Sequence, residues 1–133
     1  MSDEDIQQEY FKLQLFNMQL QEIEKQMCTL EEQAAQLQKL EESVGEVKNF
    51  KPGSKILAPM SPGLYVESEL KNPDQMLMNI GSEVFVPKEI KEAQDIIQNR
   101  VKRVEKNIHN LTVDFQNISI EAQKTQEKLQ KHV

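Results

Sequence analysis

Few side chains in this sequence are of the kinds that do chemistry, and their spacing assigns none of them a reaction. Cys28 is the only cysteine, set among Gln26, Met27 and Thr29 with no histidine close by in sequence. A reactive thiolate needs a cationic or imidazole neighbour, and a lone cysteine cannot close an internal disulfide. His109 and His132 lie far apart, so their spacing predicts no cluster of metal donors. The acidic pairs Glu31-Glu32 and Glu41-Glu42 lack the enclosed pocket that general acid–base work requires. Gly81 stands alone and opens no helix, unlike a phosphate-cradling loop. Asn110-Leu111-Thr112 and Asn117-Ile118-Ser119 match the glycosylation sequon but fall within a helical pattern. The expectation is no catalytic residue, no metal, no cofactor and no enzyme. What remains is contact chemistry. Its candidates are Phe11, Leu15 and Met18 with Val113 and Ile120, apolar side chains whose role depends on the face that presents them.

The elements that present them are marked by punctuation. All five prolines and all four glycines lie between Gly45 and Pro87, and these residues are the strongest breakers of local structure. They divide one domain into an N-terminal helix at 1–47, a β-rich insert at 48–87 and a C-terminal helix at 88–133. In the first arm Leu13, Leu20, Met27 and Ala34 take heptad a positions, and Phe16, Ile23, Leu30, Leu37 and Val44 take d positions. Glu41 interrupts the a series, and Leu40 and Val47 predict a three-residue shift of the seam there. Ser2, Asp3 and Asp5 supply a cap and first-turn acids, and Gly45 reads as an end signal. In the second arm Pro87 reads as a first-turn proline with helix from Lys88. Val101, Ile108, Phe115, Ala122 and Leu129 are its a residues; Val104, Leu111, Ile118 and Thr125 are its d residues, continued backwards by Ile97 and Ile90.

Two near-equal arms of about 45 residues, roughly 65 Å each at ~1.5 Å per residue, predict an antiparallel hairpin. Joining near Val47 and Lys88 places Leu13 near Ala122 and Leu20 near Phe115, with both chain ends at the free end of a rod. The insert alternates instead. Ile56 and Leu57, then Leu64, Val66 and Leu70, then Met76, Met78 and Ile80, then Val84 and Val86 read as four short strands in two hairpins. Asn72-Pro73-Asp74 separates them as a turn. Isolated hairpins cover too little apolar surface and leave open edges. These ten residues are therefore expected to pair with the inserts of other subunits. The fold class is α+β: a long antiparallel coiled coil with a central four-strand insert.

Composition narrows the partners. The chain has 133 residues, of which 38% are apolar and 29% charged, with a net charge of -6. An acidic chain without a Lys/Arg cluster does not form a nucleic-acid footprint. No apolar run approaches the ~20 residues of a membrane span, and no signal-peptide pattern opens the chain. A soluble, unsecreted, cytoplasmic protein is expected, in keeping with one unpaired cysteine.

Residues Ile56-Leu57-Ala58-Pro59-Met60-Ser61-Pro62-Gly63-Leu64-Tyr65-Val66, then Glu69-Leu70-Lys71-Asn72-Pro73-Asp74 and Met78-Asn79-Ile80-Gly81-Ser82, resemble the central region of the prefoldin alpha class. Val86-Pro87-Lys88-Glu89-Ile90-Lys91-Glu92-Ala93 is similar to the start of that class's second helix. Ser82-Glu83-Val84-Phe85 departs from the family, which often has a second glycine and aromatic residues there. Two hairpins fit the alpha class, since the beta class would carry one. The resemblance implies a chaperone that hydrolyses no nucleotide. Two alpha-class and four beta-class subunits would join through their inserts into a β-barrel platform. Their coiled coils would hold non-native proteins and deliver them to a group II cytosolic chaperonin.

The arms place the contact residues. Phe11, Leu15 and Met18 fall on f, c and f positions, and Val113 and Ile120 on f, so all five face away from the partner helix. Uncovered apolar surface marks an interaction site, and flexible Met and Phe suit varied partners. The expected role is client binding. The competing readings are contact with a neighbouring arm, or splayed ends in which these positions join the seam. A coiled-coil adaptor or spacer that binds one defined partner is the alternative function.

Overall fold

The computed structural model describes residues 2–132. Helix α1 spans Asp3–Val47, strands β1 to β4 span Lys55–Ser61, Leu64–Glu69, Gln75–Gly81 and Val84–Glu89, and helix α2 spans Ile90–Lys131. α1 opens on a capping box. The Ser2 Oγ accepts from the Asp5 backbone N–H at 3.2 Å, and the Ser2 N–H donates to the Asp5 carboxylate at 3.3 Å. These two bonds satisfy donors that the first helical turn leaves without partners. Gly45 does not end the helix; it is interior, and a Cβ there would lie 3.2 Å from the Gln94 amide of α2. The bare α-carbon lets that side chain approach.

The four strands form two separate antiparallel hairpins, β1–β2 and β3–β4. They are copies of one another in geometry. Lys55 pairs with Glu69 and Gln75 with Glu89, Ala58 pairs with Val66 and Met78 with Val86, so every partner recurs 20 positions on. Both ladders carry a bulge at the same place, at Met60 and at Ile80, followed by a two-residue loop. The loops differ in chemistry. Pro62-Gly63 gives glycine the left-handed position (φ 84°), whereas Ser82 and Glu83 both adopt positive φ, 49° and 61°. The turn between the hairpins is pinned by Asn72, whose Oδ1 accepts from the Asp74 N–H at 3.0 Å.

The chain divides into two compact units: α1 up to Ala35 with α2 from Lys102, and Gln36–Val101. In the second unit Val44, Ile90, Ala93, Ile97 and Val101 form the buried core, with Leu37, Val47, Met76 and Met78 packed on it. The second hairpin thus lies on the helices through its methionines. β4 runs on to Glu89, so Pro87 and Lys88 belong to the strand and not to α2, which starts two residues later than expected. Pro87 is tolerated because a two-stranded ribbon leaves an open edge where its missing N–H costs no ladder bond. The expected seam shift is met at only one of its two residues: Leu40 is exposed, with Glu41 keeping the a position half-buried and accepting from the Gln98 Nε2 at 2.7 Å, while Val47 packs on the core.

In the first unit every expected seam residue from Leu13 to Ala34, and from Val104 to Leu129 on α2, is buried or half-buried. The helices run antiparallel, the Glu9 carboxylate lying 3.4 Å from the Lys128 ammonium. Their register differs from the expected one. Leu13 shares a shallow groove with Gln126 and Leu129 and not with Ala122, and Leu30 shares one with Leu111. The displacement is about four to six residues along α2, a little more than one turn. The second unit shows the matching offset, with Gly45 beside Gln94 and Glu41 beside Gln98. There the first turn of α2, Ile90 and Ala93, is drawn into the core around Val44 and under Met76 and Met78. The hydrophobic pull of that core moves the joint away from the Val47–Lys88 position that loop counting gives.

Candidate interaction surfaces

On the first unit, the outward positions are occupied as the heptads require. Phe11 and Met18 are 62% and 60% exposed, and Leu15, Val113 and Ile120 are exposed as well. None has joined the seam. The register separates them, however. Leu30 beside Leu111 puts Val113 level with Cys28, about ten residues along α1 from Met18 and not level with the Phe11 group. Ile120 lies nearer to it. Tyr10, which sequence reasoning missed, is also exposed and borders the groove of Leu13 and Leu129. Its signal is its place directly before Phe11 in the only aromatic pair of the arm.

A second omission lies in the seam. Extending the heptads back from Phe16 lands on Glu9 at d and Ile6 at a, and Glu9 is the only buried carboxylate among the described residues. Its Oε1 accepts from the ammonium groups of Lys12 and Lys128, each at 3.4 Å. Cys28, His109 and His132 are all exposed.

On the second unit the ten insert residues divide between two faces of the hairpins. Cross-strand partners share a face, so Ile56, Val66, Met76, Met78 and Val86 lie on one side with Ala58. Leu64 and Val84 follow that face by alternation, and Met76, Met78, Val86 and Ile56 on it are half-buried. Leu57 lies on the opposite side, with Tyr65 two positions along the ladder. Leu77 and Phe85 are their counterparts on the second hairpin, and both were missed. Leu57 and Leu77 are 64% and 70% exposed. Ile80 is the exposed bulge residue, and Leu70 is half-buried just beyond β2. Periodicity alone hid Leu77 and Phe85, because a strand with apolar residues on both faces has no alternation to read. The 20-residue offset between Leu57/Tyr65 and Leu77/Phe85 is the signal that would have found them.

Two long helices flanking two hairpins with apolar residues on both sheet faces match a known architecture. The family model described as "Prefoldin subunit" matches residues 16–133. The chain belongs to the prefoldin family. Among curated prefoldins, it is 26% identical over 128 residues to prefoldin subunit alpha of Archaeoglobus fulgidus, covering 96% of this chain and 93% of that one. It is 23% identical over 129 residues to prefoldin subunit alpha of Methanococcus vannielii, covering 97% and 86%. The structure is similar to a cryo-EM structure of filamentous PFD from Methanocaldococcus jannaschii. The TM-score is 0.76 at 16% identity, covering 85% of this chain and 93% of that chain. The two hairpins and these relatives identify an alpha-class prefoldin subunit, of chaperone type. No helix among the described residues is long and apolar enough to cross a membrane.

Proposed function

We propose that this chain is a subunit of an ATP-independent cytoplasmic chaperone complex, in which two alpha-class chains join four beta-class chains through their inserts. The complex holds non-native proteins on the arms and passes them to a group II chaperonin. The observation that carries the reading is uncovered apolar surface in both units. Residues Phe11, Leu15, Met18, Val113 and Ile120 are exposed on the paired helices. Leu57, Tyr65, Leu77 and Phe85 are exposed on hairpins too small to be stable alone. The first set suits transient contact with varied apolar segments, each weak and summed over several arms. The second suits permanent burial against like hairpins. No catalytic residue enters this reading.

The test replaces Phe11, Leu15 and Met18 together with serine. The expected outcome is an assembly of unchanged mass with beta-class partners and a several-fold loss in suppression of denatured-protein aggregation. Unchanged suppression by the intact assembly would refute the client assignment. Retained binding to one defined folded partner, with no effect on varied unfolded proteins, would favour the adaptor reading.

A further inference from the structure

We propose that Glu9 is an ionic latch that keeps the first unit closed where α1 begins and α2 finishes. Glu9 occupies a heptad d position, where the following members of the series are Phe16, Ile23 and Leu30. A carboxylate there is desolvated, and it is tolerated only with charged partners. The structure supplies two. Lys12 reaches it from the next turn of α1 and Lys128 reaches it across the seam, both to the same oxygen. The Glu9 side chain is 11% exposed, while those of the two lysines are more than half exposed. Lys128 is thus held to α1 by a charge, where a leucine at position 9 would hold it by burial. Of the neighbouring charges, Lys124 pairs with Glu121 at 3.8 Å within α2, while the Asp5 carboxylate also feels the Lys128 charge.

The consequence is a seam end with two settings. Paired, Glu9 closes the last heptads over Leu13, Phe16 and Leu129. Unpaired, Glu9 prefers water, and hydrating it separates the helix ends and uncovers those apolar residues. An all-apolar end has no such preference for opening. Because both ammonium groups are reached by solvent, the closed setting weakens as salt screens them. That the uncovered seam adds to the client surface rests on the function proposed above. The latch does not.

Amide hydrogen exchange on the full chain in its assembly tests the latch alone. Glu9→Gln and Lys128→Gln should each raise exchange about tenfold in residues 6–16 and 122–131, a coupling-sized effect, and leave 36–101 unchanged. The double variant should be no worse than either single one. Glu9→Leu, which removes the buried charge without exposing the seam, should slow exchange at this end and abolish its salt dependence. Unchanged exchange in Glu9→Gln, additive effects in the double variant, or persistent salt dependence in Glu9→Leu would each overturn the proposal. Aggregation suppression is then measured on Glu9→Leu. A locked end with normal suppression refutes the added client surface and leaves the latch standing.

Discussion

Ser82 and Glu83 occupy the left-handed region at φ 49° and 61°, which L side chains reach only at the expense of about 1 kcal/mol each. A two-residue hairpin loop of the type I′ class holds both residues at positive φ because that twist matches the strands, and Asn-Gly is the usual sequence for it. Glu83→Gly should therefore stabilise the protein by roughly 1 kcal/mol in thermal or denaturant unfolding. A neutral or destabilising result would show that the loop does not hold these angles. Asp5 makes a different prediction. Hydrogen bonds from the Ser2 side chain and backbone hold its carboxyl below the usual aspartate value, with a smaller contribution from the Lys128 charge. A lowered folded value means the capping box is fully present above the ordinary carboxylate pKa and is lost as pH falls through the lowered value. Exchange in the first turn of α1 should rise only in that acid range. Ser2→Ala should reduce that pH dependence, the Ser2 backbone bond and the Lys128 charge remaining.

At the scale of elements, the helices rest on different amounts of core. Ile97 is 3% exposed and central to the Val44–Ile90–Val101 cluster. Ile97→Ala should cost about 2–4 kcal/mol by urea unfolding. Phe115 or Leu20, half-buried in a two-helix seam, should cost less on the same change. The seam itself was legible from Leu13 onward, because a 3–4 alternation of apolar residues has no other economical reading. Glu9 escaped because polarity hides a seam position from any apolar count. The expected shift at Leu40 failed because Gln98 satisfies Glu41 where it stands. Register was illegible for a further reason. An apolar seam does not fix how far one helix slides along the other, and the deciding contacts, Met76 and Met78 on the Val44–Ile90 core, join distant parts of the sequence. The same limit misplaced Val113 beside the Phe11 group while its outward face was correct.

At the scale of the molecule, no side chain of large volume among the described residues is fully buried, and the chain exposes 10447 Å². A self-sufficient globule of this length would expose about 7,200 Å², so roughly 3,000 Å² is in excess. The hairpins contribute apolar surface to it, since Leu57, Tyr65, Leu77 and Phe85 are all more than half exposed. Leu77→Ser with Phe85→Ser should prevent assembly with beta-class partners while leaving α-helical content intact, as read by native mass spectrometry and circular dichroism. Leu57→Ser with Tyr65→Ser should do the same through the other hairpin, and a normal mass in both pairs would contradict the role given to these faces. The 20-position repeat of the ladder has a consequence for stoichiometry. In the language of step-growth polymerisation, a chain with two like hairpins is a bifunctional monomer, and a chain with one is a monofunctional stopper. The ratio in which the two kinds are mixed would then govern whether the product terminates as a small closed particle or continues to lengthen.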